Sequence, residues 1–125
     1  MYPKEFRYSK EHEWIAVDGD VATVGITDFA QSELGDIVYV EGPASGRRVG
    51  AGEVLGTVES VKAVSEIYAP VGGEVVAVNA ALTDAPQTLN TDPHKEGWIC
   101  RIRMAAPHEV DDLLDADAYE KLILS

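Results

Sequence analysis

The chain has 125 residues, 46% of them hydrophobic, which suits one globular domain with a modest core and leaves little room for two catalytic domains. Ten Lys and Arg against 22 Asp and Glu give a formal net charge of −12, so nucleic-acid phosphates and anionic membrane surfaces would repel it. Its one cysteine, Cys100, excludes an internal disulfide framework or a cysteine-rich zinc site and fits a reducing compartment.

The start, Met1-Tyr2-Pro3-Lys4-Glu5-Phe6, has neither a signal-peptide core nor an Arg/Ser-rich transit pattern. No later apolar run approaches the roughly 20 residues that cross a bilayer. The expected setting is the cytoplasm, with a processed mitochondrial chain as the alternative. From Trp14 onward, apolar residues fall in short β-branched runs separated by Gly, Asp and Pro, which predicts a mainly β fold. Residues 14–17 and 21–26 form an expected hairpin about Asp18-Gly19-Asp20, because Asp-Gly supplies the positive φ of hairpin turns. Thr27 is placed to cap a helix over residues 28–34, and Gly35 to leave it in a left-handed conformation. Further strands are expected at 37–40, 54–59, 64–68, 74–78 and 98–103, a spacing that suggests a compact barrel or sandwich. Residues 35–40 are echoed by 73–78, each with glycine, an acid and a β-branched run, but strands draw on few residue types and chance explains this at least as well as a repeat. After Pro107, residues 108–114 and 115–124 read as helices, with Pro107 at a first helical position and Asp115 as an N-cap. They are expected to pack as a lid on a β core of about residues 13–104, within one domain over 1–125.

Catalytic chemistry is not evident. His12, His94 and His108 lie in separate segments without metal-ligand spacing, and Cys100 sits in an alternating run that suits a small buried residue. Gly-x-Ser-x-Gly, P-loop and Gly-x-Gly-x-x-Gly patterns are absent, and Gly50, Gly52 and Gly56 read as scattered turn glycines.

One residue stands apart. From residue 49 to 94, Lys62 is the only Lys or Arg, sharing the stretch with Glu53, Glu59, Glu66, Glu74, Asp84 and Asp92. It falls near the tip of an expected hairpin, where its amine projects from a β platform. An exposed turn lysine is the ordinary reading; the alternative is an acylation site, where an amide replaces the charge.

The segment Glu59-Ser60-Val61-Lys62-Ala63-Val64-Ser65-Glu66-Ile67-Tyr68-Ala69-Pro70, followed by Gly73-Glu74-Val75-Val76-Ala77-Val78-Asn79, resembles the lipoyl-attachment region of glycine cleavage system H proteins. Three other motifs resemble the same family in the same order: Tyr8-Ser9-Lys10-Glu11-His12-Glu13-Trp14, Val24-Gly25-Ile26-Thr27-Asp28-Phe29-Ala30-Gln31, and Leu89-Asn90 with Asp92-Pro93 and Gly97-Trp98. The departures are His94 where tyrosine is usual, Gly42-Pro43 where Leu-Pro is usual, and the basic pair Arg47-Arg48.

The resemblance implies a barrel-sandwich hybrid, mainly β with short helices, carrying lipoate on Lys62 and itself non-catalytic. It implies that the lipoyl group accepts an aminomethyl unit from PLP-dependent glycine decarboxylase and passes it to aminomethyltransferase. Dihydrolipoyl dehydrogenase then reoxidises it, and a lipoate ligase or octanoyltransferase attaches it. A monomer is expected. The matching positions for sheltering the loaded arm are Glu13 and Glu66, with Glu11 a weaker candidate; hydrogen bonds from its amine contribute roughly 1.5–3 kcal/mol if desolvated. Glu59 and Glu66 flank the lysine and are candidates for recognition by the attaching enzyme. A lipoyl domain of a 2-oxoacid dehydrogenase would lack the Glu-His-Glu-Trp start, and a biotin carrier would carry methionines where Val61 and Ala63 stand. A relay of lipoyl groups to other proteins and a non-lipoylated interaction module are the functional alternatives.

Overall fold

The computed structural model describes residues 2–125. Strands β1 (Arg7–Tyr8), β2 (Glu13–Asp18), β3 (Val21–Ile26), β5 (Arg48–Val49), β8 (Gly73–Val78) and β9 (Cys100–Met104) form an antiparallel sheet in the order β1-β2-β3-β9-β8-β5. Strands β4 (Ile37–Glu41), β6 (Val54–Ser60) and β7 (Val64–Tyr68) form a second sheet in the order β4-β6-β7. Neither closes on itself, so the architecture is a barrel-sandwich with two sheets and short helices.

Inward side chains of both sheets make one core, including Ile15, Val24, Val40, Leu55, Val58, Ile67, Val75 and Ile102. Each such side chain contributes about 1.5–3 kcal/mol by leaving water. A second cluster of Tyr8, Trp14, Ala116 and Tyr119 lies under the C-terminal helix. Tyr8 stacks on Tyr119 at 4.8 Å and Phe6 on Trp14 at 4.7 Å. The C-terminal segment therefore packs on the β core through aromatic faces.

Helix α1 (Asp28–Leu34) begins and ends where its capping residues dictate: Thr27 accepts the Ala30 N–H, and Gly35 takes φ 81°. His94, the departure from tyrosine, accepts the Asp28 N–H through Nε2 at 3.0 Å and so joins this helix start. Burial lowers its pKa, which favours the neutral acceptor form.

Several expectations change. Asp18 pairs with Val21, so the first hairpin turns on Gly19 and Asp20 alone, with φ 64° at Gly19. The strand expected at 98–103 begins at Cys100; Ile99 instead donates to the Val24 carbonyl at 2.7 Å and accepts from Asn79 at 3.0 Å. The segment after Pro107 is a 3-10 helix, Pro107–Asp112, and does not continue to 114. Leu114 is drawn into extended pairing with Tyr8, exchanging two backbone hydrogen bonds of 2.8 Å, which outcompetes another helical turn. Helix α4 (Ala116–Ile123) follows, capped by Asp115 as expected. The two-residue strands β1 and β5 and the single-turn helices α2 (Ala81–Asp84) and α3 (Thr88–Thr91) are too short to leave a periodic signal. The echoing segments 35–40 and 73–78 lie in different sheets.

Candidate functional site

The tip of the β6–β7 hairpin carries Lys62, exposed between Val61 and Ala63. Ser60, buried at the end of β6, locks the turn. Its hydroxyl accepts the N–H groups of Lys62 (3.3 Å) and Ala63 (3.1 Å), and its backbone N–H donates to the Ala63 carbonyl at 2.8 Å. A strut supports the tip from outside: Val61 N–H donates to the Asp36 carbonyl at 3.0 Å. Asn90 in turn holds that strut. Its Oδ1 accepts the Ile37 N–H, and its Nδ2 donates to the Gly35 carbonyl and to Gln31 Oε1, each at 2.9 Å. The Lys62 chain leans over the end of α1, where its Cε lies 3.7 Å from the place a Cβ would take at Gly35. A cation there faces the partial negative charge of the helix C-terminus.

Beside it, between α1 and the hairpin, opens a cleft of about 310 Å³ lined by Glu11, His12, Phe29, Ala30, Glu33, Leu34 and Ser65. Its wall is apolar, and its two carboxylates are exposed. A neighbouring hollow of about 290 Å³ shares Glu11 and adds Gly52 and Tyr68.

The structure separates the predicted acids. Glu13 is only 2% exposed, and it does not line the cleft. Its carboxylate accepts the Ser9 hydroxyl and, through Oε2, the Tyr68 N–H at 3.1 Å, bracing β7 against β2. Without an arm bound, the Glu13 side chain is a buried brace between β2 and β7. Glu66 points from the face of β7 opposite Ser65, and accepts the Tyr68 hydroxyl at 3.1 Å. Tyr68 thus links Glu13 and Glu66. Glu59 pairs with Val64 and Tyr39 across neighbouring strands, so it shares the outer face with Glu66, which pairs with Thr57. Both remain exposed.

Burial pushes the Glu13 carboxyl up to about 6 from 4.5, against the hydrogen bonds from Ser9 and Tyr68. The folded state therefore holds this proton more tightly than the unfolded state does. The resulting stabilisation is present below about pH 4.5 and is lost as pH rises through about 6. In Glu13→Gln this component disappears: relative to the variant, the parent loses about 2 kcal/mol of unfolding free energy between pH 4 and pH 7.5. Urea unfolding at the two pH values checks it; a constant difference between the proteins contradicts the assignment.

Among the described residues no group of three His, Cys, Asp or Glu could hold a metal ion. Cys100 is fully buried, with its thiol pushed up to about 12 by burial.

A model of the glycine cleavage H-protein family matches residues 6–125. The chain belongs to the glycine cleavage H-protein family. The glycine cleavage system H protein of Acidobacterium capsulatum is 54% identical over 122 residues, covering 98% of this chain and 94% of that one. The one from Carboxydothermus hydrogenoformans is 50% identical over 123 residues, covering 98% and 95%. The crystal structure of a glycine cleavage system H protein from Mycobacterium marinum superposes with a TM-score of 0.90 at 40% identity, over 98% of this chain and 99% of that one. H proteins of this family are lipoyl carriers in glycine cleavage. Ser60 and Asn90, which hold the hairpin tip, and Glu33, which lines the cleft, were not singled out from the sequence. Ser60 had a readable signal, a hydroxyl residue two before the lysine that can turn its own backbone. Asn90 stood in a family motif, but its role was not readable because its partners lie on other elements, and Glu33 had no signal.

Proposed function

We propose that this chain carries lipoate as an amide on Lys62 Nζ and presents it to the enzymes of glycine cleavage. The observation that carries the reading is Lys62 itself: an exposed primary amine at a hairpin tip locked by Ser60 and propped by Asp36, beside an apolar cleft with an acidic rim. The site fits the group. Phe29, Ala30 and Leu34 suit a hydrocarbon arm, and Lys62 already leans toward α1, which supplies them. When bound, the lipoyl group would supply disulfide chemistry for carrying an aminomethyl unit between glycine decarboxylase and aminomethyltransferase, with dihydrolipoyl dehydrogenase as the oxidising partner.

The chain's own residues tether and shelter. The rigid tip keeps the arm's origin in place, so a docked enzyme meets it at high effective concentration. Glu11 and Glu33 are placed to accept hydrogen bonds from the cationic amine of the loaded arm, and the apolar wall limits water there. Glu59 and Glu66, on the outer face of the hairpin, are assigned to contacts with the lipoate ligase or octanoyltransferase.

Intact-mass and peptide mapping of protein from its native cells is expected to place one lipoyl adduct on Lys62; an unmodified lysine overturns the carrier reading. In Glu11→Gln/Glu33→Gln, hydrolytic loss of the aminomethyl group from the loaded protein is expected to accelerate roughly tenfold, with lipoylation unchanged. An unaltered loss rate removes these two acids from the account.

A further inference from the structure

His12 is the non-glycine residue with positive φ among the described residues, at 73°. Backbone in that region disfavours a side chain with a Cβ and persists where surrounding contacts impose it. Here they do. His12 N–H donates to the Ser9 carbonyl at 3.1 Å, and its own carbonyl accepts the Thr27 N–H at 3.0 Å. The ring packs on Phe29 at 4.8 Å, and Nδ1 lies 2.8 Å from the hydroxyl of Tyr119, which reaches in from α4. The same hydroxyl is 2.7 Å from Thr27 Oγ1, which accepts the Ala30 N–H at 3.2 Å.

Burial settles the direction of these bonds. Thr27 and Tyr119 are both 0% exposed, so each hydroxyl proton needs an acceptor inside the protein. The Tyr119 oxygen is the acceptor within reach of the Thr27 hydroxyl, so Thr27 donates to Tyr119, and Tyr119 donates to His12 Nδ1. A nitrogen that accepts is unprotonated, which assigns the His12 proton to Nε2. Nε2 has no partner within the protein, yet no buried side-chain nitrogen or oxygen is left unpaired among the described residues, so this atom meets solvent. Protonating Nδ1 would set donor against donor and strand a hydroxyl proton in the core.

Glu11 from the same loop and Glu33 from α1 both favour an imidazolium, whereas burial favours the neutral ring and prevails. From α4 the facing group is the Tyr119 hydroxyl, and from β7 the uncharged Ser65. An imidazolium here would pair with the two carboxylates and repel an ammonium beside it.

We propose that Tyr119 is a positioning residue: through Nδ1 it holds His12 as an uncharged imidazole in the wall of the arm cleft, leaving Glu11 and Glu33 free for the arm's cationic amine. The proposal rests on the cleft being the arm's shelter, and its first test does not depend on the arm.

In the unlipoylated protein, imidazole ¹⁵N shifts are expected to show His12 with its proton on Nε2 at pH 7; a proton on Nδ1, or an imidazolium, overturns the proposal without any variant. Tyr119→Phe is expected to raise the His12 pKa by about one unit. An unchanged His12 titration overturns it. On the loaded protein, aminomethyl loss should stay flat from pH 7.5 to pH 6 in the parent and rise roughly threefold over that range in Tyr119→Phe. The double variant Tyr119→Phe/His12→Gln should be flat again. A shifted His12 titration with no change in arm loss overturns the placement of the arm in this cleft while leaving the hydrogen-bond assignment standing, so the two failures are distinct.

Discussion

Arginine in place of Lys62 is expected to abolish the proposed carrier function and leave the fold intact. A guanidinium is planar, delocalised and always protonated, and offers no free amine for an amide. Lys62→Arg is therefore expected to show no lipoyl adduct by intact mass and no turnover in reconstituted glycine cleavage. Its thermal midpoint should stay within about 2 °C of the parent, because the side chain is exposed and the turn's hydrogen bonds involve only the backbone of residue 62, so the change in stability is about 0.5 kcal/mol at most. The turn lock survives, since Ser60 binds the backbone N–H of residue 62 and ignores its side chain. Residual turnover by the variant would place the acylated group elsewhere.

Gly56→Ala is expected to be the most damaging small substitution in the sheet that carries the hairpin. A Cβ at Gly56 would lie 2.0 Å from the Glu41 carbonyl oxygen and 3.2 Å from the Gly42 Cα. Both are backbone, so relief requires β4 and β6 to separate where their pairing continues through Glu41 and Thr57. The expected cost is about 3 kcal/mol. Gly46 provides the contrast: it has φ 90° but nothing within 4 Å of its Cβ position, so Gly46→Ala carries only a conformational cost of about 1–2 kcal/mol. Urea unfolding of the two variants checks the difference. Equal losses would mean that β4 yields easily and that the close approach is not what keeps residue 56 a glycine.

Gly56 also shows where sequence reading stops. Read as a turn glycine like Gly50 and Gly52 although it falls within the expected strand 54–59, it lies inside β6, and the reason it must be glycine is the Glu41 backbone of the neighbouring strand. Elements with internal period and local caps were legible to within a residue or two. Residues 28–34 are the clearest case, because Thr27 and Gly35 satisfy the helix ends with short-range contacts. Residues 64–68 match β7 for a similar reason, being bounded by the turn about Lys62 and by Pro70. The 3-10 helix at Pro107–Asp112 was read as a longer helix because nothing local announces that Leu114 will pair with Tyr8.

The acids near the site divide along the same line. Glu13, Glu59 and Glu66 were found by sequence neighbourhood to Lys62 or to a motif, and two of them are exposed while Glu13 is enclosed. Glu33 lines the cleft and is invisible from the lysine's neighbourhood, since α1 brings it there across the sheet boundary.

The net charge of −12 and the isolation of Lys62 among acids were properties of composition and order, and they were enough to single out the lysine. So was the mainly β class, because alternation and turn residues act over a few positions. What the acids do was decided only by tertiary structure. A carboxylate's role depends on burial and on partners such as the Tyr68 N–H, and these come from segments that meet only when the two sheets pack. The same holds for His12, whose protonation state is set by a tyrosine 107 residues away.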